Sequence, residues 1–255
     1  MTVPSLEFNS SGIIPQKYAD LHIHSTVSDG LLSVEQIVEQ AVAKNLDAIA
    51  ITDHEVTFGS EKAANYSARC GHPLEVVTGE EVTTEGGHLI GLFLRDRIPS
   101  GKSLPWTIAE IHRQNGLVVV PHPRFFLTRS LTKRAIEKII KNPDPEIYFD
   151  GFEIYNAAVG HIPIRNFNQK AKDFFLSDGQ FLGAAVGGTD AHFWAIGLGL
   201  TGYEGDLFQA IKNRQTSVHY TTGKERIGIN DLARQSFSSL VLEPGRRIHR
   251  LFLGA

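Results

Sequence analysis

The stretch DLHIHSTVSDG, residues 20–30, decides the reading of this chain. Residues 18–24 have the pattern of a strand. Successive strand side chains point to opposite faces, so His22 and His24, two apart, project together from its end. Asp29 follows in a turn marked by Gly30, where a carboxylate can fold back toward the same opening. Two imidazoles and a carboxylate at one strand end are a natural start for a metal site. The next residues announce a helix. Ser33 and Gln36 form a capping box ahead of the stripe Val34, Ile37, Val38 and Ala41, and the helix is expected to end near Lys44.

The same arrangement recurs along the chain. Further strands are expected at 48–53, 74–80, 88–94, 117–122, 151–156 and 183–190, alternating with helices at 105–115, 132–141, 163–177 and 206–213. Such alternation points to an α/β fold built on parallel βαβ units. Residues suited to metal ligation mark nearly every strand edge: Asp53 and His54, Gly79-Glu80-Glu81, His88, His122 between two prolines, then Asp190 and His192. In barrels of alternating strands and helices, catalytic residues collect at the C-terminal face because the loops converge there. A single histidine is more often a packed or solvated polar residue. Six of the eleven histidines at strand edges, in company with carboxylates, indicate a shared site. His72, His112, His161, His219 and His249 are read as structural or surface residues, His161 being the one whose loop could enter the site.

A chain of 255 residues with 42% apolar residues can bury a full core as one domain. The expected organisation is a single barrel domain over 1–255, with the motifs in 18–220 and a C-terminal extension at 221–255. A formal charge of -3 excludes a broad basic field, so any nucleic acid handled is expected to be a substrate end. The one cysteine excludes an internal disulfide framework. No apolar run approaches the roughly 18 residues of a membrane span, and no signal peptide opens the sequence, so a cytoplasmic location and no membrane partner are expected.

At these residues the sequence resembles the polymerase and histidinol phosphatase (PHP) family of metal-dependent phosphoesterases. The resemblance rests on DLHIHSTVSDG, TDH at 52–54, GEE at 79–81, His88 ahead of Gly91, HPR at 122–124 and GGTDAH at 187–192. It implies a distorted (β/α)7 TIM-like barrel and a site for two or three divalent ions, with zinc, manganese and iron all suited to mixed imidazole and carboxylate ligation. Carried over residue by residue, it implies that His22, His24, Glu80 and Asp190 hold one ion, Glu80, His88 and His122 a second, and Asp29, His54 and His192 a third. Glu80 takes the bridging place in this assignment because it directly follows Gly79.

The implied activity is hydrolysis of a phosphoester by a metal-activated water, with no protein nucleophile. The substrate would be a small phosphomonoester, a nucleotide or a nucleic-acid end. Three divalent ions beside three carboxylates would leave the pocket positive and attractive to phosphate. Arg124, in the HPR run, is the candidate phosphate clamp, since a guanidinium binds two phosphate oxygens at once. Arg129 and Lys133 are further basic candidates, with solvation as their ordinary reading. Asp20 and Asp53 flank ligands and either orient imidazoles or serve in packing. Two rival readings are another barrel metallohydrolase, an amidohydrolase or metal-dependent deoxyribonuclease, and a non-catalytic metal-binding regulatory module. An amidohydrolase would show a bridging lysine at a strand end, and the motifs contain none.

Overall fold

A computed structural model describes residues 5–123, 129–160, 166–178, 181–193 and 196–220 of the protein. Its strands in chain order are β1 (Ser5–Phe8), β2 (Lys17–Ile23), β3 (Ala48–Ile51), β4 (Glu75–Thr83), β5 (His88–Leu92), β6 (Leu117–Val120), β7 (Gly151–Asn156), β8 (Ala184–Gly188), β9 (Gly199–Tyr203) and β10 (Thr216–Tyr220). They pair side by side in the order β1-β10-β9-β2-β3-β4-β5-β6-β7-β8. The seven strands expected from the sequence are β2 through β8.

These seven curl into a nearly closed barrel. Beyond β8 the chain returns to the end of β2: the Asp190 amide donates to the His22 carbonyl at 2.7 Å, and the His24 amide to the Ala191 carbonyl at 2.9 Å. Strands β9, β10 and β1 extend the sheet antiparallel from the edge of β2 opposite β3. They fold back on β8, where the Thr201 hydroxyl bonds to Gly187 and the Thr216 hydroxyl to the Ala185 carbonyl. None of these three strands was expected from the sequence: β9, GLTGY, is too glycine-rich to read as a strand.

One strand departs from the expected parallel order. β5 runs antiparallel to both β4 and β6. The connection from β4 to β5 is only residues 84–87, and a parallel crossover needs a dozen or more. The Thr84 amide and hydroxyl both donate to the Gly87 carbonyl to close the turn. Gly87 has φ +134°, and a Cβ there would lie 2.7 Å from the Arg129 carbonyl oxygen. Reversal brings the start of β5, with His88, to the same rim as the C-terminal ends of β3, β4 and β6.

The helices are α1 (Val34–Ala43), α2 (Phe58–Cys70), α3 (Leu104–Arg113), α4 (Lys133–Ile140), the single turn α5 (Ala157–Gly160), α6 (Phe167–Asp178) and α7 (Leu207–Lys212). Helix α1 carries both hydrogen bonds of the expected capping box, Gln36 N–H to Ser33 Oγ and Ser33 N–H to Gln36 Oε1, and buries the expected stripe. Helix α2 had no sequence signal. It buries Gly59, Ser60, Ala63 and Ser67, because its start packs so closely that a Cβ on Gly59 would overlap the Asp53 carboxylate. Small residues leave no apolar stripe to read.

Strand periodicity sorts the core into two layers. Ala48 and Ala50, Val77, Ile90 and Leu92, Leu117 and Val119, and Val186 pack together in the barrel interior. Leu89, Val82, Val118, Phe152 and Ile154 face outward against Ile108, Ile136 and Phe174 of the helices. The inward rows that begin apolar continue toward the rim as polar residues: Val77 leads to Gly79 and Glu81, Ile90 to His88. The barrel is thus oily below and ionisable above.

Candidate metal centre

All six strand-edge histidines meet at that rim. His22 and His24 leave the end of β2, His54 follows β3, His88 opens β5, His122 follows β6 and His192 follows β8. Asp29 reaches them because its loop is folded on a buried carboxylate. Asp53 accepts from the Ser25 amide at 2.8 Å, the Ser25 hydroxyl at 2.6 Å and the Ser28 hydroxyl at 2.6 Å. Asp20 plays the same part on the other side, accepting from the Thr189 amide and hydroxyl and, at 2.7 Å, from the Gly197 amide. Both aspartates therefore brace loops through hydroxyl and backbone groups rather than through imidazoles.

Glu81 stands at the centre. Its Oε2 lies 3.2 Å from His24 Nε2, 3.5 Å from His22 Nε2 and 3.5 Å from His54 Nδ1. Its Oε1 lies 2.7 Å from His88 Nδ1 and 3.0 Å from His122 Nε2. The expected bridging residue, Glu80, is not there. Alternation along β4 places Glu81 on the inward face with Val77 and sends Glu80 outward, where its Oε2 accepts from the Ile98 amide at 2.8 Å. The choice by adjacency to Gly79 is corrected by the period of the strand.

Asp190 and Asp29 complete the cluster. Asp190 Oδ1 is 3.4 Å from each of His22 Nε2, His24 Nε2 and His192 Nδ1. Asp29 faces His192 Nε2 at 3.4 Å, His24 Nδ1 at 3.7 Å and His54 Nε2 at 3.9 Å. The two imidazole nitrogens His22 Nε2 and His24 Nε2 approach to 3.2 Å. Two ligand atoms about 2.1 Å from one ion, at right or tetrahedral angles, lie about 3.0–3.4 Å apart. The donor set fits divalent metal: His22-His24-Glu81, His22-His122-Asp190, His54-Glu81-His88 and His24-Asp29-His54-His192 each converge closely enough to share an ion.

Charge balance leads to the same conclusion. Burial would raise the carboxyls of Asp29, Glu81 and Asp190, yet surrounding imidazoles hold all three well below the usual range. Burial would also lower His22, His24 and His122. The facing carboxylates reverse this, raising His22 well above its ordinary value, His24 to about 10 and His122 above its own. His54 falls to about 3, because burial and the neighbouring His24 and His88 outweigh Glu81 and Asp29. A buried trio of carboxylates requires cations, and without metal the imidazoles must supply them as protons. Metal binding would displace those protons.

Two residues missed in the sequence hold the cluster in shape. Glu153, inward on β7, lies with Oε1 3.2 Å from His22 Nδ1, while its Oε2 accepts from the His122 amide at 2.5 Å and the Asn156 amide group at 2.9 Å. Asn156 also donates to Asp190 Oδ2 at 3.1 Å. The register shift between Glu153 and Tyr155 is what turns both Glu153 and Asn156 inward. A glutamate within the otherwise apolar GFEIYN run was the available signal. Gly188 leaves room for it, since a Cβ there would lie 2.5 Å from Glu153 Oε1 and 2.7 Å from His22 Cβ. His122 Nδ1 is held by the Ser130 hydroxyl at 2.8 Å. His122 and Asp190 have positive φ, 27° and 55°, the kind of backbone that a functional site retains.

The other sequence candidates fall elsewhere. Arg124 and His161 lie outside the described residues. Arg129 is exposed, and its carbonyl accepts from the His88 amide. Lys133 is exposed and 3.6 Å from Glu137 one helical turn on. His72, His112 and His219 sit away from the rim with Glu39, Asp150 and Ser217 as partners.

A family profile for the PHP domain matches residues 20–172. The chain belongs to the PHP family. A 5'-3' exoribonuclease of Salmonella typhimurium is 26% identical over 208 residues, covering 80% of this chain and 62% of that protein. A 3',5'-nucleoside bisphosphate phosphatase of Chromobacterium violaceum is 39% identical over 77 residues, 29% of this chain and 26% of that one. Among solved structures, a two-domain protein of Bacteroides vulgatus containing a predicted PHP-like metal-dependent phosphoesterase superposes with a TM-score of 0.63 at 20% identity, covering 92% of this chain and 74% of the other. The barrel and the phosphoesterase class expected from the sequence both stand, so this PHP chain is a metal-dependent phosphoesterase. Among the described residues, no helix is long and apolar enough to cross a membrane.

Proposed function

We propose that this chain hydrolyses phosphoester bonds in a nucleotide or at a nucleic-acid end, with two or three divalent ions held at the barrel rim. The observation that carries the reading is Glu81, one of whose oxygens faces His22, His24 and His54 while the other faces His88 and His122. A carboxylate addressing two groups of imidazoles at once is suited to bridging. The ligand sets are then His22, His24, Glu81 and Asp190; Glu81, His88 and His122; and Asp29, His54 and His192. Divalent ions in such a site supply Lewis acidity, polarising phosphoryl oxygens and bringing the pKa of an attacking water toward about 7.

The chain's own groups do the rest. Glu153 keeps the His22 proton on Nδ1, leaving the Nε2 lone pair for the cluster. Ser130 and Asn156 hold His122 and Asp190 in place, and Arg124 is proposed as the clamp on the phosphate. The bridging place that an amidohydrolase gives to lysine would be taken here by the Glu81 carboxylate. The relatives named above are an exoribonuclease and a nucleoside bisphosphate phosphatase, which supports a substrate carrying a nucleoside phosphate.

The test is phosphate or nucleotide release with added manganese, zinc or iron, across histidinol phosphate, nucleoside 3',5'-bisphosphates and 5'-phosphorylated oligonucleotides. Activity on a nucleotide substrate that disappears on chelation is expected. Silence on every substrate from protein with a verified metal content would overturn the reading.

A further inference from the structure

We propose that Glu39, Cys70 and His72 form a second metal site, suited to zinc or another thiophilic divalent ion, on the outer surface where α1 meets α2. One donor atom from each residue, a carboxylate oxygen, a thiol sulfur and an imidazole nitrogen, lies within 4.8 Å of the other two. None of the three belongs to the rim centre, and the site stands apart from the phosphoesterase reading.

The local fold brings the donors together. Glu39 is on α1, which packs on α2 through Val38, Ala41 and Ala63 in one buried cluster. Cys70 ends α2. Gly71 then takes φ +70°, the left-handed turn that closes a helix, with its own N–H donating to the Ala68 carbonyl and the His72 N–H to the Ser67 carbonyl, each at 3.1 Å. The turn sends His72 back toward α1, where its Nε2 lies 3.2 Å from Glu39 Oε1. Two such donors on one ion lie about 3.0–3.4 Å apart. The Tyr66 hydroxyl, one turn before Cys70, donates to the same Oε1 at 2.8 Å and meets the Cys70 thiol, so it orients both groups. Bonds of about 2.3 Å to sulfur and about 2.1 Å to nitrogen place those donors about 3.6 Å apart in a tetrahedral site. The exposed Cys70 side chain reaches that geometry by a shift of about 1 Å.

A simple clasp between the helices needs none of these donors. One turn earlier on both helices Glu35 and Lys62 make such a clasp, a surface ion pair of 3.0 Å. At the next turn the glutamate faces an imidazole and a thiol instead. Free cysteine is among the residue types most often buried, yet Cys70, the one cysteine of the chain, is exposed beside a histidine. A thiolate and a carboxylate balance the charge of a divalent ion, a neutral imidazole makes a third ligand, and solvent can reach the fourth position. Sulfur also selects the ion, favouring zinc over manganese or magnesium, which prefer oxygen. An ion here would pin α1, which follows the Asp29 loop, to α2, which follows His54.

The test is a cobalt titration of the full chain, kept reduced, read by the near-ultraviolet absorption of a cobalt–thiolate bond. The rim histidines and carboxylates offer no sulfur and Cys70 is the one cysteine, so this absorption reports the second site even when the rim is filled. It should saturate at one ion per chain, disappear when zinc is added and be absent from Cys70→Ser. Loss of a supporting contact alone weakens metal binding 10- to 100-fold, so His72→Ala and Glu39→Gln should each weaken cobalt at this site by at least about tenfold. Zinc should also slow alkylation of Cys70 by at least about tenfold, because the bound thiolate is withdrawn from reaction, whereas manganese should leave the rate unchanged. Cobalt-loaded protein without the thiolate absorption would overturn the site. So would an absorption of the same affinity in the His72→Ala/Glu39→Gln double variant, which would mean binding by the thiol alone, or saturation at one ion for two chains, which would mean a bridge between thiols of separate molecules.

Discussion

Replacing Glu153 by glutamine tests whether the barrel interior sets the chemistry of its rim. The carboxylate serves three donors: His22 Nδ1 at 3.2 Å, the His122 amide at 2.5 Å and the Asn156 side chain at 2.9 Å. Glutamine is nearly isosteric but has one accepting oxygen. If that oxygen keeps the His122 and Asn156 contacts, the new NH2 group faces His22 Nδ1, which must then accept. The His22 proton moves to Nε2, the nitrogen that lies 3.4–3.5 Å from Asp190 and Glu81 and is the one proposed to hold a metal ion. Loss of such a supporting contact typically weakens metal binding 10- to 100-fold, or about 1.4–2.7 kcal/mol. Competition against a graded series of chelators should show that loss. Activity measured at limiting metal should fall in parallel and recover as metal is raised. Glu153→Gln with wild-type metal affinity and wild-type activity at limiting metal would refute the argument.

The two glutamates of β4 should separate cleanly: Glu81→Gln is expected to deplete bound metal and abolish hydrolysis, whereas Glu80→Gln should leave both intact, and elemental analysis with phosphate release reads each. The reverse result would restore Glu80 as the bridge. Arg124→Ala should raise KM or lower kcat at least tenfold with metal content unchanged; unaltered kinetics would remove Arg124 from the site. At the far end of the barrel, burial would raise the Asp150 carboxyl, but hydrogen bonds from His112 and the Val118 amide and the nearby Lys212 charge hold it below its ordinary value. A depressed folded pKa contributes stability above the unfolded value of about 3.9 that is lost as pH falls through the folded one. The Tm gap between wild type and Asp150→Asn should therefore be full at neutral pH and narrow below about pH 4, and a gap independent of pH would remove the charge from the explanation.

What the sequence discloses about this barrel follows from which elements bury large side chains. Helix α1 is legible because its cap and its Val34-Ile37-Val38-Ala41 stripe are both written in residue type. Helix α2 is not, because close packing on Asp53 selects glycine, serine and alanine, and those side chains carry no periodic signal. The reversal of β5 is legible only through loop length: four residues between Thr83 and His88 cannot make a crossover. Reading strand order without that constraint leaves His88 at the wrong end of its strand for the right reason, since the start of a reversed strand and the end of its neighbours share one rim.

The site divides in the same way. Residue types suited to metal ligation at strand ends pick out, without coordinates, the histidines, Asp29 and Asp190 that meet at the rim, but adjacent residues of one strand differ by which side of the barrel wall they occupy. Val77, Gly79 and Glu81 share the inward row of β4, as Val82 and Glu80 share the outward one. Extending the alternation from a residue known to be apolar core would have selected Glu81. Glu153 and Asn156 resist even that rule, because a register shift between Glu153 and Tyr155 breaks the alternation and brings residues three apart to the same face. A polar residue in an apolar strand that sits between two ligand-bearing strands is thus better evidence of a site than its position in the strand, since only a partner across the barrel can offset the cost of burying its charge.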